Sequence, residues 1–397
     1  MQRTLLKSIA LALSIFALFL IFDTQSEVVR ATKAPQEKTV EQVGKNIKVL
    51  TGMPESQLIP VMNFFAASMG RRCNYCHVNN QGQWDYASDA KPEKAAAREM
   101  VKLVMDINKT TERLKLDPVS CYTCHRGRTS PQSIPVLPLP LPSPPPNASG
   151  TGGPTPGASP QASPQASPAA TPALPSADEI FSKYAMALGG QTAIDKLKSR
   201  TAKGTVTQAN GNSFQFELSQ AAPDKFYLLV TTPQGTIERG FNGQVGWEKT
   251  ARGVREITGA ELTNFKTANG LFTLLKLKEQ YSKPPRVRKD KLADRDVYIV
   301  DGTTIDNRRM RLYFDAASGL LLRRITTMQT MVGIIPDQID LEDYHEADGL
   351  KFPFTARAAA LEVGNPTSTR TITEIKLNVP VDESKFNMPS APKPAAP

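Results

Sequence analysis

The sequence predicts a multidomain chain, in which a small all-α domain is joined by a disordered linker to an α+β domain with a helix packed on an antiparallel sheet. Three observations support this. At 397 residues the chain exceeds the usual length of a single core. Fifteen of its 32 prolines crowd into residues 130–176. Beyond that stretch the pattern changes from helical spacing to short β-rich runs with turn pairs.

Residues 1–25 read as an export signal, with Gln2, Arg3 and Lys7 ahead of an apolar run from Ile9 to Phe22 broken only by Ser14. No clear small-x-small cleavage site precedes Asp23. Counted from Leu5, the segment approaches the ~17–25 residues that span a bilayer. An uncleaved anchor is therefore expected, its basic end cytoplasmic and the rest on the periplasmic face of the inner membrane. A cleaved signal peptide, leaving a soluble periplasmic protein, is the alternative. No Cys directly follows the run, so a lipid-modified N-terminus is not expected.

After a polar tether, residues 37–129 form the helical domain. Residues 130–176, with VLPLPLPSPPP and ASPQASPQASPAATP, have no apolar face to bury and read as an extended linker. Residues 177–390 open with an amphipathic helix over Asp178–Lys198. Strand-like runs follow, among them Phe214–Leu218, Lys225–Thr231, Val297–Val300, Met310–Phe314, Leu320–Thr326 and Thr369–Leu377. Asn210-Gly211, Asn242-Gly243 and Asp348-Gly349 supply turns between them.

All four cysteines and two of the three histidines fall into two copies of one pattern, Cys73-Asn74-Tyr75-Cys76-His77 and Cys121-Tyr122-Thr123-Cys124-His125. Two thiols at this spacing meet the two vinyl groups of a haem, and the adjacent His lies under the iron. Two covalent haem c groups are expected, attached through Cys73 and Cys76 and through Cys121 and Cys124, with His77 and His125 as axial iron ligands. A four-cysteine zinc site competes, but 44 residues separate Cys76 from Cys121, where zinc ribbons use about 15–20. Structural disulfides are chemically permitted outside the cytoplasm and leave the two histidines unexplained.

Methionines upstream of each motif are candidates for the opposite axial position. Leu58, Met62, Phe65 and Met69 repeat as one helix face, and Met62 is preferred because Met69 stands too near Cys73 to reach across the ring. Pro92 can open a second helix whose stripe is Ala97, Met100, Val104 and Ile107, which makes Met100 the second candidate. Core filling is the competing role for both methionines.

The strings LIPVMNFFAASMGRRCNYCHV, REMVKLVMDIN and VSCYTCHRG, within about residues 43–128, resemble the haem-binding repeats of the photosynthetic reaction-centre cytochrome c subunit family. In that family a helix bearing a Met ligand precedes each attachment motif. The resemblance implies a two-haem form with Met62 and Met100 as axial ligands. The chain departs from the four-haem form in having one such pair of repeats, not two, and no lipid-attachment Cys.

Arg71, Arg72, Arg126 and Arg128 bracket the motifs, either pairing with haem propionates or forming a solvated basic rim. A net charge of +10 favours anionic partners; export narrows these to membrane lipid or acidic redox proteins, with no nucleic acid. The C-terminal domain shows no nucleophile constellation, phosphate loop or paired metal ligands, and His345 reads as a surface residue at an Asp-Gly turn. Arg286-Val287-Arg288-Lys289 suits either a membrane surface or a charged sheet edge. ALGGQTAIDKLKS, GFNGQVGWE and LYFDAASGLLLR resemble the periplasmic lipoprotein-carrier superfamily, which implies a curved antiparallel sheet wrapping a helix and contact with lipid or lipoprotein.

The expected function is therefore that of an electron carrier and not an enzyme. It takes electrons from a donor cytochrome or a quinol oxidoreductase, and the family resemblance implies a photo-oxidised reaction-centre pigment as acceptor. A respiratory carrier is the alternative within this class. A di-haem peroxidase would need an open iron position.

Overall fold

In a computed structural model, residues 37–132, 174–208, 210–359, 361 and 367–390 are described. The expected anchor at 1–25 and most of the linker lie outside them. Among the described residues no helix is long and apolar enough to cross a membrane.

The helical segment contains α1 (Val40–Val43), α2 (Leu58–Met69), α3 (Pro92–Arg113) and α4 (Cys121–His125). A hairpin of β1 (Val78–Asn80) and β2 (Gln83–Asp85) adds two strands to what the sequence predicts as all-α. Pro92 opens α3, where its missing N–H costs no hydrogen bond. On α2 the most buried residues are Val61, Phe64, Ala66 and Ser68, while Leu58, Met62, Phe65 and Met69 are only half-buried. The predicted apolar face therefore lies beside the most buried one, because α2 is covered on more than one side.

Beyond the linker come α5 (Ala177–Leu188), α6 (Gln191–Asp195) and thirteen strands: β3 (Ser199–Thr207), β4 (Ser213–Ala221), β5 (Lys225–Thr232), β6 (Gly235–Phe241), β7 (Gly246–Thr250), β8 (Gly253–Ile257), β9 (Arg286–Leu292), β10 (Arg295–Thr303), β11 (Arg309–Asp315), β12 (Leu321–Thr330), β13 (Gly333–Ala347), β14 (Leu350–Ala359) and β15 (Thr367–Leu377). A further helix, α7 (Gly259–Asn269), joins β8 to β9. The single helix predicted over 178–198 is in fact two. Gly189 and Gly190 both take positive φ, and a Cβ on Gly189 would stand 2.1 Å from the Gly349 carbonyl oxygen.

The strands form one antiparallel sheet in the order β8-β7-β6-β5-β4-β3-β15-β14-β13-β12-β11-β10-β9. Each neighbour pairs with the next, except that β15 returns to lie beside β3. The two edges, β8 and β9, are consecutive in sequence, so α7 and the turns after it must run from one edge to the other. The basic Arg286–Lys289 run lies on edge strand β9, where charge discourages pairing with another chain. On α5, Ile180, Phe181, Tyr184 and Leu188 bury against Leu312, Phe314, Leu341 and Phe352 of the sheet.

The helical segment is seated on this sheet. Val40, Leu50, Met53, Val61, Phe64 and Val101 share one buried cluster with Val332 and Ile335 at the β12–β13 hairpin. Phe64→Ala is expected to cost about 3–5 kcal/mol, read as a lower urea midpoint; an unchanged midpoint would show that the cluster contributes little.

Candidate functional site

The two CxxCH motifs are built on unlike local structures. Cys73–Tyr75 form a 3-10 turn, with the His77 amide donating to the Cys73 carbonyl at 3.0 Å. The Lys91 ammonium donates to the Asn74 carbonyl. Cys121–His125 form the short helix α4, and the Ser120 amide donates to Thr123 Oγ1 at 3.0 Å. Asn108, in the last third of α3, holds the approach to α4 by two hydrogen bonds to Val119. Its Nδ2 donates to the Val119 carbonyl at 2.9 Å and its Oδ1 accepts from the Val119 amide at 2.8 Å.

The end of α2 ties the motifs together. Gly70 ends the helix with φ +62°, three residues before Cys73. The Gly127 amide, two residues past His125, donates to the Ser68 carbonyl at 2.8 Å. Backbone contact at this point is so close that a Cβ on Gly70 would lie 2.2 Å from the Gly127 carbonyl oxygen.

Next to α4 lies a cavity of about 160 Å³ lined by Phe65 and Met69 from α2, Met100 and Val101 from α3, and Cys121 and His125. It therefore brings together a thiol, an imidazole and two thioethers. His125 Nδ1 donates to the Arg128 carbonyl at 2.9 Å, which fixes the tautomer and leaves the Nε2 lone pair available for coordination. Met100 is 46 % exposed, and Leu103, Ile107 and Tyr122 are also exposed, so apolar surface suited to a large flat ring is present on these helices. Burial raises the Cys121 thiol to about 11 and also raises Cys76, so neither is a thiolate at neutral pH. Among the described residues no three His, Cys, Asp or Glu side chains converge as a metal cluster. The donor set of this cavity fits a covalently held haem.

Around the first motif, the His77 ring meets Tyr86 edge-on at 5.2 Å, and Tyr86 stacks on Trp84 at 5.4 Å. His77 Nδ1 is buried without a hydrogen-bond partner. Burial, followed by the Lys94 ammonium, holds the imidazole below its ordinary value and hence neutral, the form that ligates iron. Lys94 also donates to the Tyr86, Ala87 and Ser88 carbonyls. Asp89 gathers Lys48, Lys94 and Arg98 within 2.6–3.3 Å, and its carboxyl is held well below the usual range by hydrogen bonds from Lys48 and Asn46. Met62 is half-buried against the Val61–Phe64–Val332 cluster. Arg71, Arg72, Arg126 and Arg128 are exposed, with Arg71 lying 5.3 Å over the Tyr75 ring.

Met69 and Asn108 are two functional candidates that sequence reasoning passed over. Met69 was set aside on its distance in sequence from Cys73, yet the fold turns it toward the other motif. An Asn inside a helix, where its propensity is poor, was the available signal for Asn108. In the C-terminal domain, His345 is exposed on β13, its Nε2 2.8 Å from Asp343 Oδ1.

The chain is similar to a LolA superfamily protein from Nitrosomonas europaea, with 12 % identity, 54 % of this chain and 98 % of that chain covered, and a TM-score of 0.40. Over 98 residues the chain is 34 % identical to the photosynthetic reaction center cytochrome c subunit of Rubrivivax gelatinosus, covering 23 % of this chain and 25 % of that one. Over 88 residues it is 36 % identical to cytochrome c-554 of Chloroflexus aurantiacus, covering 21 % and 20 %. The chain thus spans a quarter or less of the length of these curated relatives. Residues 18–152, which contain both CxxCH motifs, match the family model of the photosynthetic reaction centre cytochrome C subunit, and over that stretch the chain resembles that family.

Proposed function

We propose that this chain is a c-type electron carrier holding two haem c groups, tethered on the periplasmic face of the inner membrane. One haem is attached through Cys73 and Cys76, with His77 and Met62 on its iron. The other is attached through Cys121 and Cys124, with His125 and Met100. The observation that carries the reading is the meeting of Cys121, His125 and Met100 in one cavity, with His125 Nδ1 committed to a backbone carbonyl.

The Cys73, Cys76, Cys121 and Cys124 thiols would hold the two haems through thioether links. Bound haem supplies an iron that alternates between ferrous and ferric. The chain's own residues do the rest. Arg128 orients His125 through its carbonyl, Lys94 and burial keep His77 neutral, and Gly70 against Gly127 holds the motifs side by side for transfer between them. The exposed arginines present a positive rim to an acidic redox partner, from which rate benefits more than affinity. Donor cytochromes or a quinol oxidoreductase are the proposed electron sources and a photo-oxidised reaction centre the proposed acceptor. A respiratory acceptor is the second reading, and a host without bacteriochlorophyll would select it.

Protein matured with haem is expected to give two haems per chain by pyridine haemochrome, and the double variant Cys121→Ala/Cys124→Ala is expected to give one. One or none in the unaltered protein would defeat the proposal. Peroxide turnover by the unaltered protein would favour a peroxidase.

A further inference from the structure

A cavity of about 570 Å³ lies against the thirteen-stranded sheet, bordered also by Pro60 and Asn63 of α2 and by α7, and includes neither CxxCH motif. Its size suits a small amphipathic ligand. Much of its lining is aliphatic or aromatic, including Phe216, Leu218, Ile339, Leu341, Phe352 and Ile372. Four arginines, Arg200, Arg308, Arg324 and Arg370, also line it, against one carboxylate, the exposed Asp337.

Three of these arginines lie on a single sheet face. The pairings Arg370 with Val206 and Ala356, Ala356 with Leu341, and Arg324 with Ile339 place Arg200, Arg324 and Arg370 on the face that carries the apolar lining. Arg324 is 4 % exposed. Among the described residues none of the three forms an ion pair; Arg308 alone does, with Asp306 at 2.7 Å. Arg200 donates to Gln220 Oε1 at 2.6 Å and lies 4.9 Å over Phe352. Arg324 has a 3.5 Å contact to the Thr267 carbonyl, and Arg370 lies 5.3 Å over Phe216. Arg200 and Arg370 are half-buried, and Asp337 reaches Arg324 only through space; guanidinium groups withdrawn from water without a paired carboxylate are costly unless an anion meets them. Burial, followed by the like charge of Arg370, depresses Arg200 to about 10, which reports the same uncompensated charge.

We propose that this cavity binds an anionic amphiphile, its carboxylate or phosphate head held by Arg200, Arg324 and Arg370 and its alkyl chain laid along the aliphatic lining. Charge selects the head and the lining selects the chain, so neither a free anion nor a neutral lipid satisfies the site. The proposal goes beyond electron transfer and does not rest on the haem assignments.

The test is equilibrium binding of radiolabelled palmitate to the full haem-loaded chain, competed by hexadecyl phosphate, hexadecanol and inorganic phosphate. Palmitate is expected to bind one per chain and hexadecyl phosphate to displace it, while hexadecanol and inorganic phosphate bind at least about tenfold more weakly, since charge-assisted hydrogen bonds are worth that factor or more. Arg324→Met and Arg370→Met should each weaken palmitate about tenfold and leave hexadecanol unchanged. Both variants should fold, because replacing a buried unpaired charge by an apolar chain is neutral or stabilising; haem content and the urea midpoint check this. Failure of palmitate to bind overturns the proposal. So does hexadecanol binding as tightly as palmitate, inorganic phosphate displacing it equally well, or retention of full affinity in both variants. Haem stoichiometry on the same sample reports the electron-carrier reading separately.

Discussion

Gly70→Ala is expected to destabilise the helical segment by several kcal/mol and to lower the yield of the two-haem protein. Two costs combine. The left-handed φ of +62° at this position costs an L-residue with a Cβ about 1–2 kcal/mol. The new methyl would also stand 2.2 Å from the Gly127 carbonyl oxygen, a backbone atom that no rotamer change can move aside, and overpacking of this kind costs about 1–3 kcal/mol more. Gly82→Ala is the control: its φ is +92°, yet nothing lies within 4 Å of the added carbon. Urea midpoints should therefore fall much further for Gly70→Ala than for Gly82→Ala. Equal midpoints, or full haem loading of Gly70→Ala, would show that the close approach does not hold the motifs together.

Met100→Ala is expected to abolish the weak near-infrared Fe–S charge-transfer band of one haem and to lower its midpoint potential. The drop should be roughly a tenth or more of the ~0.8 V that axial ligation commands. Met69 supplies the competing thioether, because it lines the same cavity from the opposite helix. Met69→Ala should leave both bands in place. If instead Met69→Ala removes a band and Met100→Ala does not, the ligand assignment passes to Met69 with His125 unchanged. Met62→Ala is expected to affect the other haem alone, and unchanged spectra in that variant would remove Met62 from the proposal.

The CxxCH motifs and several elements were legible in the sequence because they are local. CxxCH places its thiols and imidazole by covalent spacing, and Pro92 and the capping pair Ser176 with Glu179 mark helix starts through groups one turn away. Strand runs such as Met310–Phe314 fall inside β11 for the same reason, since alternation with period two needs no distant partner. The helix over 178–198 was misread because Gly189 is required by Gly349, a contact 160 residues away in sequence.

By itself the sequence located the two CxxCH motifs, the order of helical segment and β-rich segment, and several of the runs that form strands. Tertiary structure alone decided that Gly70 meets Gly127, that Met69 and Met100 face His125 from two helices, and that the helical segment rests on Val332 and Ile335. It alone gathered Arg200, Arg324 and Arg370, from strands far apart in sequence, onto one face of one sheet. The physical reason is the same in each case: side-chain spacing within a helix or strand is set by its own backbone period, whereas contacts between elements depend on register and packing.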